Sequence, residues 1–485
     1  MKLAAKCVVA LLVFGTVLAH AQISRFEHIV VIVQENRTPD NLFQGLCAPP
    51  FGTSSSCSTT PTGSQYNIQT RNWLDKHSAS GMTQPTPVPL GNSYDLSHEH
   101  SAFNVQCDAN AMGACQMDGS AGVPCFGTCP AKPQFRFIDN TTGILDPYLK
   151  LATRYGWANY MFQTNQGPSF PAHQFLFGGT SAPSALDDAL GIFAAENMSI
   201  MEGVTNSNAG CIADATTTVE LIAPNPTRPP RGIENKSVYP CFDHKTIPDI
   251  LPAPFSWRYY APGAGSIWTA PDAISHICQS TGPDGKCEGL EWKDNVDLKP
   301  SDVLNDISRC NLRSVNWVIP AGQNSDHAGS PYNTGGPSWV ASVVNAIGNN
   351  PKCADGEVYW HNTAIFITWD DWGGWYDHQP PTVLPGNEGD YQYGFRVPLV
   401  VVSAYTQEGY VNNNRHDFGS ILRFIEQNFG IREGELRFAD NRATTDLTFF
   451  FHLNRAPRPF HAISAPLDAN YFLNDKTPPT DPDDD

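Results

Sequence analysis

The ten residues from 369 to 378, Trp-Asp-Asp-Trp-Gly-Gly-Trp-Tyr-Asp-His, constrain this chain more than any other segment. They follow residues 362 to 368, whose β-branched and aromatic side chains are typical of a strand buried inside a parallel sheet. A Gly-Gly pair ends this strand, so Asp370 and Asp371 are expected at its carboxyl end, the edge where open α/β sheets bind ligands. Adjacent carboxylates repel unless a cation or a shared proton neutralises them. We interpret them as ligands of a divalent metal, the alternative being a solvated turn with aromatic packing.

A second segment has the same organisation. Residues 26 to 33 form an almost continuous apolar run that leads, after one glutamine, into Glu35 and Asn36. These two residues therefore occupy the same kind of position as Asp370 and Asp371. The four side chains could form an all-oxygen cage for a hard cation, or a mixed set completed by the oxygen of a nucleophile. The alternative is that Asn36 caps a helix or that the segment only forms a turn before the next proline.

Four motifs occur in a recognisable order along the chain. They are His28-Ile-Val-Val-Ile-Val-Gln-Glu-Asn-Arg-Thr-Pro-Asp-Asn-Leu-Phe43, Gly167-Pro-Ser-Phe-Pro-Ala-His173, Ser325-Asp-His327 and the Asp370-Asp371 block, with further agreement at 393–403 and 418–426. Together they resemble the bacterial and plant phosphoesterase family that contains acid phosphatases and non-specific phospholipases C. The resemblance spans roughly residues 26 to 430. It implies an α/β fold similar to alkaline phosphatase, a three-layer α/β/α sandwich, here with large disulfide-stapled loop insertions.

The resemblance also implies roles for individual residues. Ser169 matches the nucleophile of the family and one of its metal ligands. The other implied metal ligands are Glu35, Asn36, Asp370 and Asp371. The implied catalytic histidines, which contact phosphate or the leaving group, are His327 and His98. We prefer His98 over His100 because the family pattern has an aspartate three residues before its histidine, as Asp95 is here.

Three positions depart from the family pattern. Trp372 stands where many relatives have histidine, Ala172 where asparagine is common, and Asp326 where glutamate is frequent. Any role of the missing histidine is therefore absent here, and contacts of the missing asparagine are in doubt. These departures keep a secreted, non-catalytic phosphate- or metal-binding protein as an alternative function.

The chemistry implied is hydrolysis of phosphate esters through a phosphoserine at Ser169. A serine hydroxyl is a poor nucleophile until a cation activates it, and an oxygen-rich ligand set favours Ca²⁺, Mg²⁺ or Mn²⁺, with Zn²⁺ possible. We expect acid phosphatase-like activity on a phosphate ester, either a small molecule or a phospholipid headgroup. Phospholipase C activity on phosphodiesters is the alternative. Sulfatase activity is disfavoured because the Cys/Ser-x-Pro-x-Arg motif is absent from the sequence.

The N-terminal segment predicts an exported protein, and the net charge limits the partners that it can bind. Residues 1 to 21 have two lysines, an apolar core and an Ala-His-Ala cleavage site, which predicts a signal peptide and a secreted or periplasmic location. No later apolar run is long enough for stable membrane insertion. The formal net charge of −18 argues against nucleic-acid binding, because the mean field repels polyanions.

Cysteines and composition suggest the domain organisation. Without Cys7 of the signal peptide, twelve of thirteen cysteines remain, an even number that favours disulfides in an exported chain. We expect one phosphoesterase domain over 22–475, with loop or cap insertions at about 47–130 and 182–300, and a disordered acidic tail over 476–485. The expected core elements are a strand within 26–46, a helix within 144–181 that leads into the Ser169 turn, and short helices at 302–307, 338–347 and 419–428.

Overall fold

The core of the protein is a mixed eight-stranded sheet. The structure, a computed structural model, describes residues 25–198, 208–224, 232–350, 352–353, 356–384 and 391–479. In chain order the sheet strands are β1 His28–Gln34, β2 Gly156–Phe162, β3 Trp257–Tyr260, β4 Val296–Asp297, β5 Val315–Val318, β6 Thr363–Trp369, β7 Leu399–Val402 and β8 Tyr410–Asp417. Across the sheet they lie in the order β4-β3-β5-β1-β6-β7-β2-β8.

The register of the central strands determines where the two acidic segments meet. β1 pairs in parallel with β5 and with β6, and Gln34 lies opposite Trp369. The residues that follow β1 and β6 therefore leave the sheet side by side, as the two apolar runs predicted. β7 runs antiparallel to both β6 and β2, so the expectation of a purely parallel environment for β6 is wrong on that side.

Helices cover both faces of this sheet. The longer ones are α1 His100–Cys107, α2 Asp146–Arg154, α3 Ser169–Gly178, α4 Asp302–Ser308, α5 Gly336–Asn349 and α6 Phe418–Phe429. The shorter ones are Pro39–Leu42, Ala185–Ala189, Ile247–Ile250, Ser275–Cys278, Leu290–Asn295, Tyr359–Asn362, Arg437–Arg442 and Ala469–Asn474.

Side-chain alternation along β6 assigns these helices to two layers. Phe366 packs edge-on against Phe424 of α6, with ring centroids 5.1 Å apart. Trp369, three positions later and so on the opposite face, packs against Tyr148 of α2 at 5.2 Å. Helix α3 shares the α6 face, and α5 packs on α2. The fold is therefore the three-layer α/β/α sandwich that was predicted.

Two expectations about the order of elements need correction. The segment 144–181 contains α2, then the sheet strand β2, and then α3, where one helix leading into a turn was expected. The segment 182–300 was expected to be an insertion, but β3 and β4 belong to the central sheet. Because β3 has only four residues and lies among prolines and glycines, its sequence pattern is too short to distinguish it from a loop.

The remaining strands form small sheets outside the core. They are Phe193–Ala194 with Val219–Pro224 and Gly232–Val238, Trp73–Leu74 with Met82–Thr83, Thr86–Val88 with Arg136–Ile138, Tyr94–Leu96 with Cys125–Gly127, and Val383–Leu384 with Tyr391–Gln392. The helices 302–307, 338–347 and 419–428 expected from the sequence correspond to α4, α5 and α6, each with slightly different bounds.

Disulfides staple these loop regions as expected. The bonds are Cys47–Cys57, Cys107–Cys115, Cys125–Cys129, Cys211–Cys241, Cys278–Cys287 and Cys310–Cys353. Among the described residues, no helix is both long and apolar enough to cross a bilayer. The predicted signal peptide lies outside the described residues, as does the predicted tail from residue 480 onward.

Candidate active site

Ser169 lies at the start of α3, where the chain enters the helix from the extended residue Pro168. Its Oγ is 3.3 Å from Oε2 of Glu35 and 3.4 Å from Oδ2 of Asp371, so the hydroxyl can donate to either carboxylate. The side chain is buried, with 1% of its surface exposed. The first turn of a helix also favours negative charge at this point, because the backbone dipoles of the helix point their positive ends toward it.

Backbone hydrogen bonds knit the two acidic segments together. Asp370 N donates to Gln34 O at 2.9 Å, and Arg37 N donates to Asp371 O at 3.0 Å. The Asp370 Oδ1 accepts from the backbone N of Asn36 at 3.1 Å and from that of Asp371 at 2.7 Å. Asn36 adopts a left-handed φ of +62°, which asparagine tolerates better than most residues. These bonds fix the carboxyl ends of β1 and β6 against each other.

Three carboxylates are buried within this arrangement. Burial raises the pKa of Glu35 well above its ordinary value, and the neighbouring Asp370 carboxylate adds to the effect. Burial and the charge of Asp370 likewise raise the pKa of Asp371. Burial also acts to raise the pKa of Asp370, but two other effects outweigh it. A hydrogen bond from Glu35 and an electrostatic interaction with the nearby His173 bring the pKa of Asp370 below its ordinary value. Without a cation, therefore, burial and mutual repulsion oppose the presence of three negative charges in this site.

The two predicted histidines flank the carboxylates on separate loops. His98 Nδ1 donates to Leu96 O at 2.9 Å, and its Nε2 lies 3.3 Å from Nδ2 of Asn36. His327 Nδ1 donates to Ala328 O at 2.8 Å and lies 3.7 Å from a carboxylate oxygen of Asp95. The two imidazole rings are 6.1 Å apart. Both are buried, and in both the backbone carbonyl fixes Nδ1 as the protonated nitrogen of the neutral ring.

Arg37, which follows Asn36, uses its guanidinium to bind backbone carbonyl groups behind the site. Its Nε and Nη2 donate to the carbonyl oxygen of Asp326 at 3.0 and 2.6 Å, and Nη2 also donates to Leu90 O at 3.2 Å. The Asp326 side chain accepts from Tyr148 Oη at 2.7 Å. Arg37 and Asp326 both stabilise the loop that carries His327. Their role is therefore structural.

His173 is the residue in the site that sequence reasoning left out. It lies one helical turn after Ser169 on α3, and residues four positions apart share a helix face. Its Nε2 is 3.2 Å from Oε1 of Glu35 and 3.9 Å from Oδ2 of Asp370. Burial lowers the pKa of His173 to about 4, so the ring is neutral at pH 7. The four-residue spacing from Ser169 was the signal that could have identified it.

All seven residues predicted for the site are brought together in one buried cluster, and their roles remain predictions: Glu35, Asn36, His98, Ser169, His327, Asp370 and Asp371. His100 is turned away, with Nδ1 on Glu234 and Nε2 3.2 Å from Oε1 of Gln166. Trp372, at the position where relatives have histidine, donates through Nε1 to Gln106 and packs in the core.

The donor set fits a divalent metal ion. Asn36 Nδ2 points to His98, and Asn36 Oδ1 accepts no hydrogen bond from any described residue; the same is true of Asp370 Oδ2. A buried oxygen without a hydrogen-bond donor is costly unless a ligand satisfies it. The carboxylates of Glu35 and Asp370 also form, with His173, a group compact enough to hold a metal ion. Carboxylate and amide oxygens are the ligands that hard divalent cations prefer.

Curated relatives match part of this chain. The non-hemolytic phospholipase C of Pseudomonas aeruginosa is 27% identical over 271 residues, which are 49% of this chain and 37% of that protein. Phospholipase C B of Mycobacterium tuberculosis is 27% identical over 180 residues, 33% of each. The non-hemolytic phospholipase C of Burkholderia pseudomallei is 32% identical over 155 residues, 27% of this chain and 21% of that protein. The chain thus spans about a third or less of the length of these relatives.

A distant likeness to a solved structure was also found. A protein in the alkaline phosphatase superfamily from Vibrio parahaemolyticus superposes with a TM-score of 0.32 and 9% identity, over 76% of this chain and 68% of that one. This likeness is too low to add to the description of the site. The model of the phosphoesterase family, in contrast, matches residues 26–432, which include every residue of the site described above. The chain therefore belongs to the phosphoesterase family.

Proposed function

We propose that the protein hydrolyses phosphoric esters with Ser169 as the nucleophile and one divalent metal ion as cofactor. The observation that carries this proposal is the position of Ser169 Oγ, within 3.4 Å of carboxylate oxygens of both Glu35 and Asp371 in a buried site. These carboxylates are placed to accept the serine proton as Oγ forms its bond to phosphorus. The ester oxygen leaves with a proton, and water then cleaves the phosphoserine to release phosphate and restore the hydroxyl.

The residues that would hold the cation are Glu35, Asn36, Asp370, Asp371 and the Ser169 oxygen. Bound there, a divalent cation would make the serine hydroxyl more acidic and would neutralise charge on the phosphoryl group. The helix α3 adds to this, since its N-terminus faces the developing negative charge.

His98 and His327 are suited to the phosphoryl oxygens or the leaving group. Each uses Nδ1 on a backbone carbonyl, so Nε2 is the nitrogen that takes up a second proton and donates it. A carboxylate oxygen of Asp95 lies 3.7 Å from Nδ1 of His327, the same nitrogen that the backbone carbonyl holds. A histidine that must be protonated supports an optimum on the acid side of neutrality.

We place phosphate monoesters first among substrates, as in an acid phosphatase. The enclosure supports this choice: Ser169, His98 and His327 each expose 2% or less of their surface, and a monoester needs less access to an enclosed site than a bulkier diester does. Phospholipase C activity on phosphodiesters is the second candidate, and the names of the relatives favour it.

A paired assay tests the proposal. Purified protein is incubated with p-nitrophenyl phosphate and with bis(p-nitrophenyl) phosphate, with and without chelator, beside a Ser169→Ala variant. We expect monoester hydrolysis that both chelator and substitution abolish, and a phosphorylated Ser169 peptide in acid-quenched samples by mass spectrometry. Hydrolysis of the diester alone would move the assignment to phospholipase C. Metal binding with no hydrolysis of either ester would instead support the non-catalytic alternative.

We also propose that the protein is exported. The six disulfides of the described residues support an oxidising compartment, since cytosolic proteins rarely keep such bonds. Fractionation of cells with N-terminal mass spectrometry tests this. Recovery of a chain that begins near residue 22 in the periplasm or medium is expected, and an intact N-terminus in the cytosol would contradict it.

A further inference from the structure

We infer that His173 is a nitrogen ligand of the metal ion, and that it tunes the site toward Zn²⁺ over Mg²⁺ and Ca²⁺. This inference rests on the proposed function, because it concerns the cation of the same site. It extends the oxygen-only ligand set of Glu35, Asn36, Asp370, Asp371 and Ser169 by one imidazole.

The hydrogen bonds of Tyr259 determine which nitrogen of His173 carries the proton. Tyr259 Oη has one proton and donates it to the carbonyl oxygen of Trp268 at 2.8 Å. His173 Nδ1 lies 3.3 Å from the same Oη, so this oxygen acts as the acceptor and Nδ1 as the donor. The neutral ring is therefore protonated at Nδ1 and has its lone pair on Nε2.

That lone pair faces two carboxylates. Nε2 is 3.2 Å from Oε1 of Glu35 and 3.9 Å from Oδ2 of Asp370, and all three side chains are fully buried. Asp370 Oδ2 accepts no hydrogen bond from a described residue. Three electron-pair donors that converge away from water repel one another unless a proton or a cation lies between them. A metal ion held by this group satisfies all three at once.

The residues behind His173 orient its ring in the way that metal-binding histidines are usually oriented. A ligating imidazole almost always donates its other N–H to a neighbouring oxygen, which fixes the ring orientation. Tyr259 on β3 supplies that oxygen, and the Trp268 ring stacks near the imidazole with centroids 6.5 Å apart. The ring is thus oriented by two residues from the segment 182–300, for which the sequence suggested a separate insertion.

The nitrogen has a consequence for metal choice. Mg²⁺ and Ca²⁺ prefer oxygen ligands, whereas imidazole suits Zn²⁺ and other transition metals. A site with one imidazole among carboxylates therefore discriminates against the alkaline-earth ions more than an all-oxygen cage does. This changes the preference expected from sequence, which placed Ca²⁺, Mg²⁺ and Mn²⁺ ahead of Zn²⁺.

Metal content and nitrogen coupling test the inference without any activity assay. Metal-free protein is dialysed against equimolar MgCl₂, CaCl₂, MnCl₂ and ZnCl₂, and bound metal is measured by mass spectrometry. His173→Gln keeps a side-chain oxygen of similar reach but removes the imidazole. The matched control is His244→Gln, a buried histidine whose Nδ1 bonds to Lys245 O. Tyr259→Phe is a second variant that removes only the oxygen that orients His173.

We expect the wild type and His244→Gln to retain Zn²⁺ in preference to the other three ions, and His173→Gln to bind Zn²⁺ about 10-fold or more weakly with Mg²⁺ binding little changed. In Mn²⁺-loaded protein, pulsed electron paramagnetic resonance should detect ¹⁴N coupling that His173→Gln lacks. If His173→Gln does not fold, the same loss of Zn²⁺ affinity, smaller in size, is expected for Tyr259→Phe.

Three outcomes separate the two proposals. Retention of the ¹⁴N coupling and of the Zn²⁺ preference in folded His173→Gln would overturn the role of His173 and leave the proposed function intact. Absence of the coupling from the Mn²⁺-loaded wild type would do the same. Failure of the wild type to bind any of the four ions would overturn the metal site itself, and with it the proposed function.

Discussion

Arg396 and Asp377 form a bidentate ion pair in the interior, with Nε and Nη2 of the arginine 2.9 and 2.8 Å from the two carboxylate oxygens. Neither side chain is exposed to solvent. A second carboxylate, Asp40, lies 3.7 Å from Nη2 and accepts from the His378 ring at 2.7 Å. Because Asp377 follows Asp371 closely in the chain, this pair anchors the segment that carries Asp370 and Asp371.

Loss of the arginine alone should therefore be severe. Arg396→Met leaves Asp377 buried without its cation and Asp40 with His378 alone, and removing one partner of a buried pair costs about 3–5 kcal/mol. The double variant Arg396→Met/Asp377→Asn removes one of the stranded charges and should lose less. Urea unfolding monitored by circular dichroism measures both. As a control, Arg423→Met breaks the more exposed pair with Glu433 and should cost at most about 1 kcal/mol. Equal losses for the buried and exposed pairs would refute this account.

Replacing Gly374 by alanine should affect activity more than stability. Gly374 adopts a φ of +70°, and a Cβ there would lie 2.5 Å from Cβ of Leu96 and 2.7 Å from the carbonyl oxygen of Ser97. Gly374→Ala would push the backbone that carries His98. Gly81 has nearly the same φ, +71°, and a Cβ added there would meet no atom within 4 Å, so Gly81→Ala isolates the backbone strain of about 1–2 kcal/mol.

We expect both alanine variants to lose stability from backbone strain, Gly374→Ala the more because of its close contacts. Only Gly374→Ala should lose phosphoesterase activity strongly, about 10- to 100-fold in kcat/KM. Thermal denaturation and steady-state kinetics on an aryl phosphate check the two effects separately. Activity of Gly374→Ala at the level of Gly81→Ala would show that the position of His98 tolerates the displacement.

The contrast between β6 and His173 shows which parts of the site are predictable. β6 and β1 are apolar runs, each followed at once by polar ligands, and the parallel pairing of Gln34 with Trp369 is the arrangement that such runs favour. His173 lies within a helix, and its site contact depends on the rotation of α3 about its axis. That rotation is set by packing against β3 and β5, partners that lie 80 residues or more away along the chain and leave no mark on the local pattern.

The pairing of the cysteines in disulfides also could not be predicted from their spacing in the sequence. Six cysteines per loop region allow many connectivities, and only the folded backbone brings specific pairs within bonding distance. In the structure each bond joins cysteines that are neighbours among the cysteines of the chain, from Cys47–Cys57 to Cys310–Cys353. Each bond therefore closes a separate local loop.

The loop sizes predict unequal contributions to stability. Cys310–Cys353 spans 43 positions and Cys125–Cys129 spans 4. The loss of chain entropy in the unfolded state gives about 4 kcal/mol for the longer loop and about 2 kcal/mol for the shorter one. Paired Cys→Ser variants compared by chemical unfolding measure both. A larger loss for the Cys125–Cys129 variant would contradict the entropic ranking.

The ion pairs of His276 should make the stability of the folded protein fall as the pH becomes alkaline. Hydrogen bonds to Asp249 and Asp243 raise the pKa of His276 from 6.5 to about 9. Because the folded-state pKa exceeds the unfolded value, its contribution is complete below pH 6.5 and is lost as pH rises through about 9. Melting temperatures at about pH 6 and pH 10 should therefore differ more for the wild type than for His276→Gln. An identical pH dependence in both proteins would exclude this ion pair as a source of stability.

A substitution at Asp371 should have opposite effects on the stability of the metal-free protein and on metal binding. In the metal-free protein the Asp371 carboxylate is buried beside Asp370 and near Ser169, and burial together with the Asp370 charge raises its pKa. Asp371→Asn removes the cost of burying or protonating this carboxylate, while an amide oxygen still accepts from Gly373 N, a bond of 2.6 Å in the wild type. We expect the metal-free variant to be more stable than the metal-free wild type by roughly 1–2 kcal/mol.

The same substitution should abolish the rise in melting temperature that divalent metal gives the wild type, since ligand binding stabilises only a folded state that binds it. Differential scanning calorimetry with chelator and with added Mn²⁺ or Zn²⁺ measures both quantities. Asn345→Asp is a suitable control, because this residue bonds to the Ile463 backbone and, among the described residues, to none of the site, so it should leave the metal response unchanged. A metal-free Asp371→Asn variant that is less stable than the wild type would mean that the Asp371 carboxylate is satisfied by its own hydrogen bonds, and that the cation is not needed to offset its charge.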